Sequence, residues 1–344
     1  MSSKKVIFFA PNVHTGGGLT LLKSLIADVP TNTNVQFILD ERARIKVEDI
    51  LGRRVSHFFN SSLSGRWQAE KKLADLSCEN TVVLCFHNLP PILNVVGKIK
   101  VFLQNRLLVD REHLGSHPMR VKSRLFVESI LLKKLSSKVD EFLVQTQSMA
   151  RHLEAYLSKG ELVSIKVCPF FKFEDSDITR SEFVDDAYVY ISSGDLHKNH
   201  INLLKTWKLL HSEHGLRLKL LLTVGNEYSV VTEQINLCKK QGLDVFNLGN
   251  CDYETTMATL ARSKALIFPS YTESFGLPLV EATRLGVPII ASELDYVRDV
   301  CIPQETFDPN SPISIARAVL RFEGKSNTPQ KVASPSKFWS DVSE

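Results

Sequence analysis

Two carboxylates eight positions apart, Glu273 and Glu281, stand in the stretch FPSYTESFGLPLVEATRLGVPIIASELDYVRD, residues 268–299. Between them lies Ser274-Phe275-Gly276-Leu277-Pro278. Upstream, the apolar run Ala265-Leu266-Ile267-Phe268 predicts a buried strand. Pro278 suits the first turn of a helix, where its missing N–H would have no partner anyway. That helix is expected to pass through Glu281 to about Leu285 and to stop at Gly286-Val287-Pro288. Glu273 then sits on a strand-to-helix loop, and Glu281 about one turn into the helix. Ligands of open α/β sheets bind where such loops leave the carboxyl ends of strands. Backbone N–H groups from Phe275 to Leu279 would face an anion there. Carboxylates accept hydrogen bonds from hydroxyls, so this pattern suits a ligand that carries both phosphate and sugar hydroxyls.

Further groups have the same logic. Pro11-Asn12-Val13-His14-Thr15-Gly16-Gly17-Gly18-Leu19 follows the first apolar run. A glycine-rich turn entering a helix lets backbone approach a phosphate. The G-x-G-x-x-G spacing fails at Leu21 and no Gly-Lys-Ser/Thr follows, so it is neither a dinucleotide fingerprint nor a P-loop. Ser192-Ser193-Gly194-Asp195-Leu196-His197-Lys198-Asn199-His200 also leaves a strand and opens a helix. Lys198 there would bring an ammonium to the free N–H groups of a helix start. His87-Asn88 and Gln104-Asn105-Arg106 end strands in the first half. His14, His87, Gln104 and Asn105 are candidates for the acceptor side of a cleft. Asp175-Ser176-Asp177 spells D-x-D, but it stands in a polar linker with no strand leading into it. It reads as a solvated acidic turn. Without a His/Cys cluster beside it, no metal is expected.

The string PSYTESFGLPLVEATRLGVPIIAS resembles the E-x7-E signature of retaining GT-B glycosyltransferases of the family-four type. The resemblance implies the GT-B architecture: two Rossmann-like, doubly wound parallel-sheet domains facing across a cleft. It implies transfer of a sugar from a nucleotide-diphospho-sugar with retention of anomeric configuration. Glu281 would bind ribose hydroxyls and Glu273 the transferred sugar. Ser274, Phe275, Gly276 and Leu277 would meet sugar and phosphate, Gly16 to Gly18 would close over the phosphates, and Lys198 with Asn199 would meet the diphosphate. Glu273 and Lys198 are the catalytic candidates. Ser193 is a further donor-binding candidate; the family often carries an Arg there, and a His where this chain has Gln104, and the roles of that Arg and that His do not transfer. Enzymes of this kind build O-antigen, capsule and other surface polysaccharides. The alternatives are a nucleotide-sugar epimerase or hydrolase of the same fold, and a non-catalytic subunit of a glycan-assembly complex.

The elements that would hold these groups alternate strand and helix. In the first half, strands are predicted at Lys5–Ala10, Val35–Leu39, Thr81–Phe86, Lys100–Leu103 and Phe142–Gln145, with helices at about Leu19–Asp28 and Lys122–Leu135. The second half restarts at Tyr188–Ser192 and continues through Lys219–Val224, Val245–Leu248, Ala265–Phe268 and Pro288–Ala291. Its helices are expected near Asn199–His211, Val231–Gln241 and Ser311–Arg321. Such alternation argues parallel, doubly wound sheets. The expected division is 1–170 for an acceptor-side domain and 171–325 for a donor-binding domain. A tail over 326–344 is expected to end in a helix crossing back to the first domain.

Composition narrows the partners. Residues 1–170 carry 24 Lys and Arg against 15 Asp and Glu, a net +9, while the remainder is −5. Without a recognisable reading module, nucleic acid is not the expected partner of the basic half. An anionic membrane surface is, because KSRLFVESILLKK over 122–134 brackets Leu125, Phe126, Ile130 and Leu131 with basic residues. Trp67 among Arg66, Lys71 and Lys72 has the same character. No apolar run approaches the roughly 20 residues needed to span a bilayer. The six cysteines show no C-x-x-C pairing and are read as reduced, mostly buried thiols. Together these features predict a cytoplasmic protein, peripheral on the inner face of the membrane. Its partners would be a nucleotide-sugar donor and a glycan or lipid-linked acceptor, with no cofactor.

Overall fold

The computed structural model describes residues 5–110, 112, 118–157, 163–172, 178–181, 184–325 and 334–335. Strands β1 (Lys5–Ala10), β2 (Asn34–Asp40), β3 (Ser56–Phe59), β4 (Thr81–Cys85), β5 (Lys98–Phe102), β6 (Glu141–Val144) and β7 (Ser164–Val167) form a seven-stranded sheet, in the order β3-β2-β1-β4-β5-β6-β7. Strands β8 (Asp185–Tyr190), β9 (Lys219–Leu222), β10 (Val245–Asn247), β11 (Ser263–Phe268), β12 (Ile289–Ser292) and β13 (Glu305–Phe307) form a six-stranded sheet, in the order β10-β9-β8-β11-β12-β13. The paired strands in both sheets run parallel.

Around the first sheet stand α1 (Gly16–Ala27), α2 (Arg44–Leu51), α3 (Leu63–Leu76), α4 (Met119–Leu135) and α5 (Gln147–Leu157). With the second sheet go α6 (His200–His214), α7 (Ser229–Lys240), α8 (Tyr253–Arg262), α9 (Leu277–Leu285), α10 (Asp295–Arg298) and α11 (Pro312–Phe322).

A parallel sheet covered on both faces needs continuously apolar strands. In β1, Ile7 and Phe9 enter one buried cluster while Phe8 and Ala10 enter another on the opposite face. Phe8 packs against Phe37 and Phe86, with ring centroids 5.6 and 5.0 Å apart. The second sheet has one large cluster, from Tyr188 on β8 to Leu320 on α11.

In each sheet the chain winds outward from its first strand in one direction, then returns and winds in the other. The order therefore reverses between β1 and β4, and again between β8 and β11. Such reversals leave a crevice at the carboxyl ends of the strands. The glycine run follows β1, and the Lys198 segment follows β8. The first carboxylate of the pair follows β11, and the second lies on the next helix.

Several expectations shift in detail. Helix α1 begins at Gly16 rather than Leu19, so the three glycines form its first turn instead of a loop before it. The edge strands β3, β7 and β13 were not anticipated by the alternation. On α4 the buried stripe is Leu125, Ser129 and Leu132, so of the expected apolar face Leu125 turns inward while Phe126 remains half exposed. All six cysteines are free, but only Cys85, Cys238 and Cys301 are buried. Asp175-Ser176-Asp177 lies outside the described residues, as does the 326–344 tail apart from 334 and 335. Among the described residues, no helix is long and apolar enough to cross a membrane.

Candidate active site

A cleft of about 590 Å³ lies between the two sheets. Gly16 to Gly18 and Gln104 line it from the first sheet. Ser193, Lys198, Glu273 to Leu277 and Glu281 line it from the second.

Two helix N-termini meet there. Helix α1 has no side-chain cap at Thr15, and α9 has none at Gly276. Their first N–H groups are therefore left for a ligand. Gly276 has φ 81°, a left-handed conformation that glycine adopts without steric cost. It turns the chain sharply from the β11 loop into α9. A Cβ on Gly17 would lie 3.3 Å from Leu277 Cδ1, so the glycine permits the two helix ends to approach. Of the N–H groups expected to face an anion, Leu279 donates instead to Gly276 O at 2.9 Å, and Pro278 has none. Phe275, Gly276 and Leu277 remain without a backbone partner among the described residues.

Lys198 Nζ lies 2.6 and 2.8 Å from the two carboxylate oxygens of Glu273. Both side chains are largely buried, at 18% and 12% exposure. Lys198 is held from below, because Tyr190 Oη donates to its carbonyl at 2.8 Å. Asn199, at φ 62°, donates from Nδ2 to Pro309 O at 2.8 Å and to Pro269 O at 3.1 Å. It ties the Lys198 segment to the loop after β11 rather than lining the cleft.

Glu281 is 5% exposed and faces the cleft from the first turns of α9. No hydrogen bond or ion pair reaches its carboxylate among the described residues. Burial pushes its carboxyl up to about 7 from an ordinary 4.5. A buried acid without partners is a poor structural choice. It becomes a good one when a ligand brings hydroxyl donors.

Ser274 lines the cleft and also bridges to the first sheet. Its hydroxyl donates to Gln104 O, and Thr146 Oγ1 donates to Ser274 O at 3.2 Å. The N–H of Arg106 reaches Ser274 Oγ at 3.4 Å. Ser274 thus joins the β11 loop to the first sheet. Nearby, Ser148 N–H donates to Asp299 Oδ2 at 2.6 Å. Ser193 lines the cleft, and its hydroxyl is bonded to Asp195 Oδ2 at 2.7 Å. No Arg or second Lys lines the cleft among the described residues, so Lys198 is its cation.

The acceptor-side candidates separate. Gln104 lines the cleft, with Nε2 donating to Phe86 O at 2.8 Å. Asn105 lines a neighbouring cavity, and its Oδ1 accepts from Leu107 N–H. His14 and His87 line neither. His87 is buried, with Nδ1 3.2 Å from Phe9 O and Nε2 2.6 Å from Arg66 Nη2. Burial, then the Arg66 charge, holds it well below the usual histidine range, so it stays neutral. Arg66 also pairs with the fully buried Glu70 at 3.0 Å, which takes it away from the surface around Trp67.

Sequence reasoning missed Asn250, Cys251, Tyr253 and Thr223 in the cleft wall. Their signal is only positional, because they follow β9 and β10 at the carboxyl edge. Among the described residues, no group of three or more His, Cys, Asp or Glu side chains is placed to hold a metal.

Residues 174–337 match the family model described as glycosyl transferases group 1. The chain is 29% identical over 136 residues to O-antigen chain mannosyltransferase B of Escherichia coli. It is 27% identical over 136 residues to the serotype-specific mannosyltransferase WbdA of the same organism. Each match takes in 39% of this chain, but only 35% and 17% of those relatives' lengths. Among solved structures, lipopolysaccharide outer core galactosyltransferase WaaB superposes with TM-score 0.62 at 14% identity, covering 94% of this chain and 91% of that one. HepE of Anabaena in complex with UDP gives TM-score 0.66 at 15% identity, covering 93% and 90%. The chain has the GT-B fold, and its second half is similar to the glycosyl transferases group 1 family.

Proposed function

We propose that the chain is a retaining glycosyltransferase, moving a sugar from a nucleotide-diphospho-sugar to a growing glycan or lipid-linked acceptor. One observation carries this reading. Glu281 is a buried carboxylate with no partner among the described residues, on the wall of a cleft where two uncapped helix N-termini and Lys198 converge. Hydroxyl donors and a diphosphate on one molecule would satisfy all of them. The E-x7-E resemblance and the match over residues 174–337 support the same reading. The names of the relatives, concerned with O-antigen and lipopolysaccharide core, favour a surface polysaccharide as the product.

In this mechanism the bond between the donor's anomeric carbon and the diphosphate oxygen breaks. The acceptor oxygen forms its bond on the same face, and its proton passes to the departing diphosphate. Charge grows on the diphosphate as it leaves. Lys198 and the N–H groups of α1 and α9 oppose that charge without a metal. Glu273 starts paired to Lys198, so the donor's phosphate competes for the ammonium and frees the carboxylate for sugar hydroxyls. The +9 first half, with Phe126 and Val127 half exposed on α4 beside Lys133 and Lys134, supports a peripheral position on an anionic membrane.

The test is a thermal-shift screen of UDP- and GDP-sugars, followed by a transfer assay. One donor should raise the midpoint by mass action. Glu273→Ala should leave nucleoside diphosphate affinity nearly intact and lower turnover by about 100-fold. No stabilisation by any nucleotide would refute the reading. Rapid release of nucleoside diphosphate without acceptor would favour an epimerase or hydrolase.

A further inference from the structure

Among the described residues, three polar side chains line the donor cleft from the first sheet's side: Thr20, Gln104 and Gln145. Gln145 ends the run after β6 and is almost fully buried. Its Nε2 donates to Phe170 O at 3.3 Å, as Gln104 Nε2 donates to Phe86 O at 2.8 Å. An amide beside a carbonyl must turn its NH2 group towards it, so these bonds fix the orientation of both glutamines. Neither Oε1 accepts a hydrogen bond among the described residues. Gln104 Oε1 lies over the glycine turn, 3.3 Å from where a Cβ on Gly18 would stand. Thr20 Oγ1 donates to Gly16 O at 3.5 Å. The wall is thus built of anchored, neutral groups with two carbonyl oxygens to spare.

The two glutamines stand at the seam beside Glu273. Thr146, which follows Gln145, donates from Oγ1 to Ser274 O at 3.2 Å, and the Ser274 hydroxyl donates to Gln104 O. Both backbones are therefore tied to the residue next to Glu273, where the donor's sugar would lie. Sugar hydroxyls can satisfy these amides, because a hydroxyl both donates and accepts. A sugar carboxylate could not be neutralised there. Among the described residues, the charged side chains lining the cleft are Lys198, Glu273 and Glu281. Lys198 is paired with Glu273 at 2.6 Å, and the diphosphate competes for it. A carboxylate on the sugar would find no cation of its own and would face the like charge of Glu273.

We propose that Gln145, together with Gln104, reads hydroxyls of the transferred sugar and restricts the donor to an uncharged sugar, excluding hexuronic acids. Gln145 Oε1 accepts from a sugar hydroxyl, while its amide nitrogen stays anchored on Phe170. The first half of the chain then contributes to the choice of donor, not only to the acceptor side. The inference rests on the glycosyl-transfer reading and narrows it to a class of donor. Selection works by omission: the wall rewards hydroxyls and offers a carboxylate no counter-charge.

The experiment uses the full chain and compares donors that differ only in the oxidation of the sugar's terminal carbon. The pairs are UDP-glucose with UDP-glucuronic acid, and GDP-mannose with GDP-mannuronic acid. Affinities are measured by calorimetry, and the pair whose nucleoside diphosphate binds is the one read. The native chain should bind the neutral donor at least about tenfold more tightly than its uronate. Gln145→Leu should weaken the neutral donor by about threefold to tenfold. Gln145→Arg should bring the uronate to within about twofold of the neutral donor or reverse the preference, since it supplies the missing cation. Gln145→Glu should widen the preference. A merely structural glutamine would change the unfolding midpoint without moving this ratio. Midpoint and nucleoside diphosphate affinity report that each variant has folded. Equal binding of neutral donor and uronate by the native chain overturns the proposal. So does a preference that the folded variants leave unchanged, which would place the selection on other residues. If nucleoside diphosphates bind while neutral donor and uronate behave alike, this inference fails and the glycosyl-transfer reading stands. If no nucleotide or nucleotide-sugar binds, that reading fails, and the inference fails with it.

Discussion

Replacing Glu281 with Gln should stabilise the free protein above neutral pH and leave it unchanged in acid. In the folded chain the carboxyl titrates near 7 instead of 4.5, because burial disfavours its charged form. The unfolded chain releases that proton near 4.5. Between the two values the folded state binds more protons, so raising the pH destabilises it. The shift corresponds to about 3 kcal/mol once both states are ionised. Glu281→Gln keeps the shape and removes the charge. Its advantage should be near zero at pH 4.5, grow through pH 7 and level off above, at a size up to about 3 kcal/mol. Denaturant unfolding of both proteins at pH 5, 6, 7 and 8 measures this. A donor has the opposite effect on the native carboxyl, because its hydroxyls bond to the ionised form and lower the pKa. Nucleotide binding at pH 6.5 should therefore release protons, seen by calorimetry in buffers of different ionisation enthalpy. The variant should bind the nucleotide more weakly and release none. Equal unfolding energies at all four pH values, together with proton-neutral binding by the native chain, would refute the picture of Glu281 as a buried acid waiting for hydroxyls.

Lys198→Ala should weaken binding of a nucleoside diphosphate more than that of the bare nucleoside, because among the described residues Lys198 is the cation lining the cleft; calorimetry with both ligands checks it, and an equal loss would remove phosphate from its role. Transfer should persist in excess EDTA, since Lys198 and two helix N-termini supply the positive charge; activity abolished by EDTA and restored by manganese or magnesium would contradict this. The chain should sediment with phosphatidylglycerol vesicles at low salt and release at high salt, each basic residue near the surface contributing about 1 kcal/mol. Reversing the charges of Lys122, Arg124, Lys133 and Lys134 should reduce that binding, and a native chain left in the supernatant would exclude the membrane surface.

Much of this molecule was legible from its residues. The central strands β1, β8 and β11 are buried on both faces along their last four residues, and those stretches are apolar runs that stand out from their surroundings. Pro278 and Gly286 marked the ends of α9 through their own backbone limits. Local chemistry thus placed Glu273 on a loop and Glu281 on a helix. The edge strands were hidden for the converse reason. β3 is half-buried throughout and β7 is mostly exposed, so neither carries a periodic apolar signal.

What only the tertiary structure decided is which groups have partners. Lys198 and Glu273 are 75 residues apart, and their ion pair exists because β8 and β11 are neighbours in the sheet. Among the described residues, the Thr272 hydroxyl and the Glu281 carboxylate have no hydrogen-bond partner, which no sequence pattern records. His87 looked as available as Gln104, since both end strands of the first sheet. The fold buries the histidine against Arg66 and leaves the glutamine in the cleft. Ser274 sits inside the signature itself, yet its hydroxyl is bound to the carbonyl of Gln104, 170 residues away. Spacing along the chain determines which side chains share an element. Hydrogen bonding and desolvation between distant elements determine which of them remain free for a ligand.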